Sequence, residues 1–470
     1  EIMVVGMSDM IGFHLESAPA YYDLLATRAF GNFSQLLEDV TLRPAMGVWL
    51  SHQGNRKADP AKGTAPDENY AREVMQLFSI GLVQLQPDGT LLLDATGQPI
   101  PTYNQATVAE TAKVFTGWSW AYTPATNTEP ESFSHEGPPS TQYGVPFGND
   151  SGWLAPMRYF DAFHDKTAKS ILSLQQVPLA SAKPTLLPAN RSGPQDLADA
   201  LDAFFNHPNT GPFISRQLIQ RLITSNPSPA YVYRVAQKFA NDGTGTRGNL
   251  GAVVRAILTD YEARSPDVLA NLGYGKIKEP LIRLAGFFRA LNATAPNGRY
   301  LDSWFGDPRN GANYAPQSII GVPTDQLGKE AMQAATVFNF FSPAYSPPGA
   351  MAAAGLVAPE LEITDSSFAI TVPNALTQFL YRDPTTLAQP PTGASPFIVP
   401  DYSALLPNAR DPAALVDQVN LLLCAGQMTA ATRAQIIATL QSLSPSASDT
   451  LRVKVAVQFT VVSPDGALQK

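Results

Sequence analysis

The chain has 470 residues, 44% of them hydrophobic and only 15% charged, with a formal net charge of −8. That length supports a substantial core, while the acidic balance and the lack of any Lys/Arg run exclude a general nucleic-acid or anionic-membrane binder. Cys424, the single cysteine, excludes an internal disulfide and a cysteine-cluster zinc site, and no run of about eighteen apolar residues is present to span a membrane.

In chain order, apolar spacing predicts helices at 20–28, 33–41, 68–81 and 105–116. A small β-hairpin interrupts them at Leu82 to Leu93, turned at Asp88-Gly89, and a second turn follows at Asp94 to Gly97. Helices are next predicted at 195–206 and 212–224, then over Val232 to Phe239 after two prolines. The pattern Leu250, Val253, Val254, Ile257, Leu258, Tyr261 places six apolar residues on one helix face, with Asn249 as its cap. Further helices are expected at 277–291, 328–338, 412–424, 429–442 and 449–460. Residues 119–163 and 381–411 read as long irregular loops, open to a functional or a purely surface role. The fold class is mainly α: a large irregular multi-helix domain over 1–470 with short β-hairpins and long loops. Cys424, set among leucines, reads as a buried structural thiol.

Three segments carry candidate chemistry. In the 68–81 helix, Tyr70, Val74, Leu77 and Phe78 form an apolar stripe beside a polar one of Asn69, Glu73 and Gln76. Glu68 precedes Arg72 by four residues, the favourable order for an ion pair. Glu68, Arg72 and Glu73 are candidates for carboxylate chemistry and anion clamping; a solvated helix face explains them as well. Asn104 is placed to cap a helix running into Thr116-Gly117-Trp118, where Gly117 supplies a left-handed residue and Trp118 and Trp120 are core anchors or sugar platforms. In His164-Asp165-Lys166, an imidazole beside a carboxylate is a candidate base or metal ligand. The five histidines, His14, His52, His135, His164 and His207, form no spaced metal motif, so no transition-metal centre is expected. For a hard cation the Asp88-Gly89 and Asp94-to-Gly97 turns are the first places to look. His207, before Pro208, is expected to cap helix carbonyls. Nucleophile elbows, phosphate-binding glycine loops, dinucleotide fingerprints and EF-hand loops are absent from the sequence.

Taken together these segments resemble the bacterial family called domain of unknown function 1800. The resemblance rests on Asp67-Glu68-Asn69-Tyr70-Ala71-Arg72-Glu73-Val74, then Ile80-Gly81, then Phe115-Thr116-Gly117-Trp118. His164-Asp165, His207-Pro208, Lys278-Glu279-Pro280, Val337 to Pro343 and Ser463-Pro464-Asp465 follow in the family's order. Asp67, Val74 and Phe115 replace the commoner Asn, Leu and Leu.

The resemblance implies an exported protein, periplasmic, cell-surface or extracellular, without an assigned activity or cofactor. It also implies a further N-terminal helical region and export signal preceding this chain, and a possible partner in an exported alkaline-phosphatase-like family, domain of unknown function 1501. The expected function is binding of a protein partner or envelope polymer. The alternatives are an exported hydrolase or lyase-like enzyme acting on a polysaccharide or related polymer, and a structural subunit of a surface assembly. The motif residues Glu68, Asn69, Arg72 and Glu73 are expected to link their helix to the Thr116-Gly117-Trp118 turn.

Overall fold

A computed structural model describes residues 2–7, 11, 17–121, 133, 151–172, 185–295, 301–306, 314–318, 327–329, 332–381 and 398–470. Most of both irregular stretches, and His14 and His135, lie outside these residues. The fold is mainly helical. Among the described residues its sheets are two-stranded antiparallel pairs. The chain forms two compact units: residues 1–223, 227–271 and 332–339 in the first, and 224–226, 272–331 and 340–470 in the second.

In the first unit, the helices Ser17–Arg28, Phe33–Leu42, Asn69–Gln76, Gln105–Ala112, Gly193–Asn206, Thr210–Leu222, Pro229–Ala240 and Leu250–Thr259 surround one core. Phe33, Leu37, Tyr70, Val74, Phe115, Phe204, Val235 and Val253 are among its buried residues. Two helix starts are tied side by side: the Asn32 and Asn249 side chains accept from Ser34 N–H and Ala252 N–H, and their backbones bridge. Each cap satisfies a backbone donor that the first helical turn leaves free. The 68–81 helix stops at Gln76, earlier than its spacing suggests. Ile80 and Gly81 instead donate back to Met75 O, and Gly81 takes φ +70°.

Residues 82–102 then fold on themselves. Gln84 N–H donates to Ile100 O, Ile100 N–H to Leu92 O and Leu92 N–H to Gln84 O, closing a triangle of hydrogen bonds. The two turns carry Gly89 and Gly97 at φ +77° and +80°, a conformation that glycine adopts at no steric cost. Asp88 and Asp94 accept from the N–H and hydroxyl of Thr90 and Thr96, so plain turn bonding accounts for both acids.

No helix forms in the described part of 328–338. Met332 and Asn339 are left-handed, Gly6 bridges Gln333 and Met7 N–H donates to Met332 O. Extended pairing has taken the backbone groups that helical spacing assigned to a helix.

The second unit packs Pro280–Ala290, Phe368–Tyr381, Pro412–Cys424, Ala430–Ser442 and Asp449–Val462 about Leu284, Leu376, Val416, Ile436 and Val457. Cys424 is buried there, and burial raises its thiol pKa. Two ion pairs, Lys276–Glu360 at 3.1 Å and Lys329–Glu279, are buried in this unit. No described helix is long and apolar enough to cross a membrane.

Candidate functional site

The motif residues gather around two centres in the first unit. At the first, His164 is fully buried. Its Nδ1 lies 2.8 Å from Thr116 O and its Nε2 3.3 Å from Asp196 Oδ2. Thr116 Oγ1 donates to Lys113 O and accepts from Asp165 N–H. Lys169, 1% exposed, spends its ammonium on Asp165 O at 2.6 Å, Thr167 O at 3.0 Å and Asp196 Oδ2 at 2.7 Å. Arg191 Nε stands 3.1 Å from the other Asp196 oxygen. Burial by itself would raise the Asp196 carboxyl, but the hydrogen bonds from His164 and Lys169, and their charges, outweigh it and hold the group below its ordinary value.

Gly117 closes this centre. At φ +81° it has room for no side chain: a Cβ would sit 2.9 Å from Phe160 O and 3.0 Å from His164. Trp118 and Trp120 are buried, Trp118 against Tyr159 with ring centres 5.7 Å apart. Both are therefore anchors rather than open platforms. Asp165 is buried and caps its own turn through Thr167, while exposed Lys166 pairs with Asp161 at 2.6 Å.

The second centre is the Asn69–Gln76 helix. Glu68, Arg72 and Gln105 bind one another at its half-exposed edge: Arg72 Nη2 is 3.1 Å from both Glu68 and Gln105, and Gln105 donates to Glu68 at 2.6 Å. Asn69 is exposed and Gln76 half-buried. Glu73 points inward; burial raises its carboxyl pKa, against the lowering effect of Arg72, and its Oε2 is buried without a hydrogen-bond partner. The Tyr103 hydroxyl nearby, likewise unpartnered, is pushed up to about 12 by burial and by the Glu73 charge. Tyr70 is wholly buried, stacked on His52 at 3.8 Å and bonded to Thr41 Oγ1 at 2.7 Å.

The two centres are joined by a residue that sequence reasoning passed over. The Asn55 side chain accepts from Asp67 N–H and donates to Asp67 O, and Asn55 O receives Gly117 N–H. The Arg72 side chain reaches the start of the Gln105–Ala112 helix rather than the Thr116-Gly117-Trp118 turn, and Glu73 Oε2 bonds to neither. Asp196, four residues after the Ser192 cap, also went unnoticed, because an acid in a first helical turn has a ready explanation in the helix dipole. His207 does not cap carbonyls: its Nδ1 accepts from Asn209 N–H, and Arg247 donates to Phe205 O and His207 O instead. Among the described residues, no group of three or more His, Cys, Asp or Glu is arranged to hold a metal ion.

A family model described as "Protein of unknown function (DUF1800)" matches residues 5–467. No curated protein and no solved structure matches the chain.

Proposed function

The chain belongs to the DUF1800 family, and on that premise we propose that it is an exported or cell-envelope protein that binds a protein partner or an envelope polymer. One observation supports this most. In the motif helix, Tyr70, Glu73 and Val74 are buried, while Asn69 and the Glu68–Arg72–Gln105 cluster remain accessible. It sets acid oxygens, a guanidinium and an amide side by side, a mixture suited to hydroxyl-, amide- and carboxylate-bearing surfaces. The exported alkaline-phosphatase-like family DUF1501 is the first protein partner to try.

Fractionation of cells expressing the complete gene product tests export. Retention of the purified chain on envelope polymer, or on a DUF1501 protein, tests binding. Glu68→Gln with Arg72→Ala should remove retention while leaving the helical content intact; retention unaffected by that pair refutes the assigned surface.

A second reading, a hydrolase or lyase-like enzyme on a polysaccharide, draws on Glu73. A carboxyl raised by burial, with one oxygen unpartnered, has the attribute that a general acid needs. Turnover of a polysaccharide lost in Glu73→Gln would establish it. The third reading, a surface-assembly subunit, requires ordered oligomers in sedimentation.

A further inference from the structure

The second unit holds a cleft beside the Pro280–Ala290 helix that the reading above leaves unused. Ile282, Phe287, Leu422, Leu423 and Val461 give it apolar walls, and Lys278 and Arg283 line it with them. It is open to solvent and offers about 90 Å³ of space to the centres of water-sized molecules. Phe287 and Val461 also line a smaller neighbouring gap, with Leu376, Leu380 and Val457 beside the polar Thr377 and Gln458.

The two cations are the unusual feature. Neither forms an ion pair among the described residues. Lys278 Nζ donates to Leu423 O at 3.1 Å, which uses one of its three protons. Arg283 donates through Nη2 to Val461 O, and its Nε is buried with no acceptor. Burial lowers the pKa of both, Arg283 to about 10, and the Arg283 charge lowers Lys278 further. Asp465, whose charge acts on Cys424, is engaged by the N–H and hydroxyl of Thr429. Two like charges held together in a partly dry cleft are unfavourable until an anion joins them. Apart from these two, the cleft's side chains are apolar, so no side chain there accepts from the N–H groups of a bound peptide.

We propose that this cleft binds a fatty-acid-like carboxylate, its headgroup held by Arg283 and Lys278 and its acyl chain lying along Ile282, Phe287, Leu422 and Val461. A carboxylate accepts from the guanidinium N–H groups that Val461 O leaves free and from the two remaining protons of Lys278. This site is independent of the Glu68–Arg72–Gln105 surface, and its failure would leave that reading standing.

Gly286 supplies a decisive control. It lines the cleft, and a Cβ built there meets no atom within 4 Å. A side chain can therefore start from this helix position without meeting a neighbour at its Cβ, and Gly286→Phe puts a ring at the cleft lining. Calorimetric titration of the intact chain with decanoate should show one site. Lys278→Met and Arg283→Gln should each weaken it by roughly tenfold or more, the worth of a hydrogen bond to a charged group. Gly286→Phe should abolish binding with the melting temperature retained, and it decides the matter even if the Arg283 variant misfolds. Decanol should bind more weakly through loss of the charge, and acetate through loss of the chain. The proposal is overturned if decanoate does not bind, if decanol or acetate binds equally well, or if Gly286→Phe binds as wild type. Binding to phosphatidylglycerol vesicles without binding of free decanoate also overturns it, in favour of a membrane surface.

Discussion

Asp196→Asn probes the His164 centre with the least change in shape. The amide keeps the volume of the carboxylate and removes only its charge. In the native protein that charge meets Lys169 at 2.7 Å, His164 at 3.3 Å and Arg191 at 3.1 Å, and Asp196 has no exposure to solvent. Neutralising it leaves the Lys169 ammonium buried with only the carbonyls of Asp165 and Thr167. Removing one partner of a buried ion pair costs about 3–5 kcal/mol. Because the folded carboxyl lies below its ordinary value of 3.8, its contribution is complete above that pH and is lost as pH falls through the depressed value. Wild type and variant should therefore differ fully at neutral pH and converge only in stronger acid. Four of the five tryptophans, Trp49, Trp118, Trp120 and Trp153, belong to the first unit, so urea unfolding followed by tryptophan fluorescence reports largely on that unit. A loss below about 1 kcal/mol, the size of an exposed pair, would show that the cluster does not hold this centre together.

Arg72→Ala should cost less than about 1 kcal/mol, since the Arg72–Glu68 pair is more than a third exposed; a chemical-denaturation loss several times larger would mean that the motif arginine is structural after all. Burial pushes His52 from 6.5 to about 4, and burial with the Arg247 charge does the same to His207. The unfolded chain therefore binds more protons between these values, and each histidine contributes up to about 3 kcal/mol that is present above pH 6.5 and lost toward pH 4. His207→Asn, which keeps an acceptor for Asn209 N–H, should flatten the stability-versus-pH curve over that interval; an unchanged slope counts against the assignment. Gly117→Ala should destabilise by about 1–3 kcal/mol through its positive φ alone, with more from the clash against Phe160 O, and a melting temperature equal to wild type would contradict the packing described.

Local spacing made the helices and their caps legible. Asn104 and Asn249 cap as their positions suggested, with side chains accepting from Thr107 and Ala252 N–H, and Gly117 is left-handed. The Phe368–Tyr381 helix escaped notice because Pro373 lies inside it, where a missing N–H normally argues against helix. Burial of His164 was invisible for another reason. Its partners Thr116 and Asp196 lie 48 and 32 residues away, and no periodicity reports on a pairing that only the folded chain creates. Asn55 was missed likewise: one side chain in an irregular segment, whose work is to bond Asp67 while its carbonyl receives Gly117.

The hydrogen-bonded triangle of Gln84, Leu92 and Ile100 has a bearing on how this segment opens. Each member gives its amide to one neighbour and its carbonyl to the other, so the arrangement has no end from which to fray. Releasing any one peptide group deprives both of the others of a partner. The three amides should therefore exchange with deuterium as a set, in a single local opening. The exposed turn at Asp94–Gly97, which connects Leu92 to Ile100 but makes none of the triangle's bonds, should accept an inserted peptide without disturbing that shared protection.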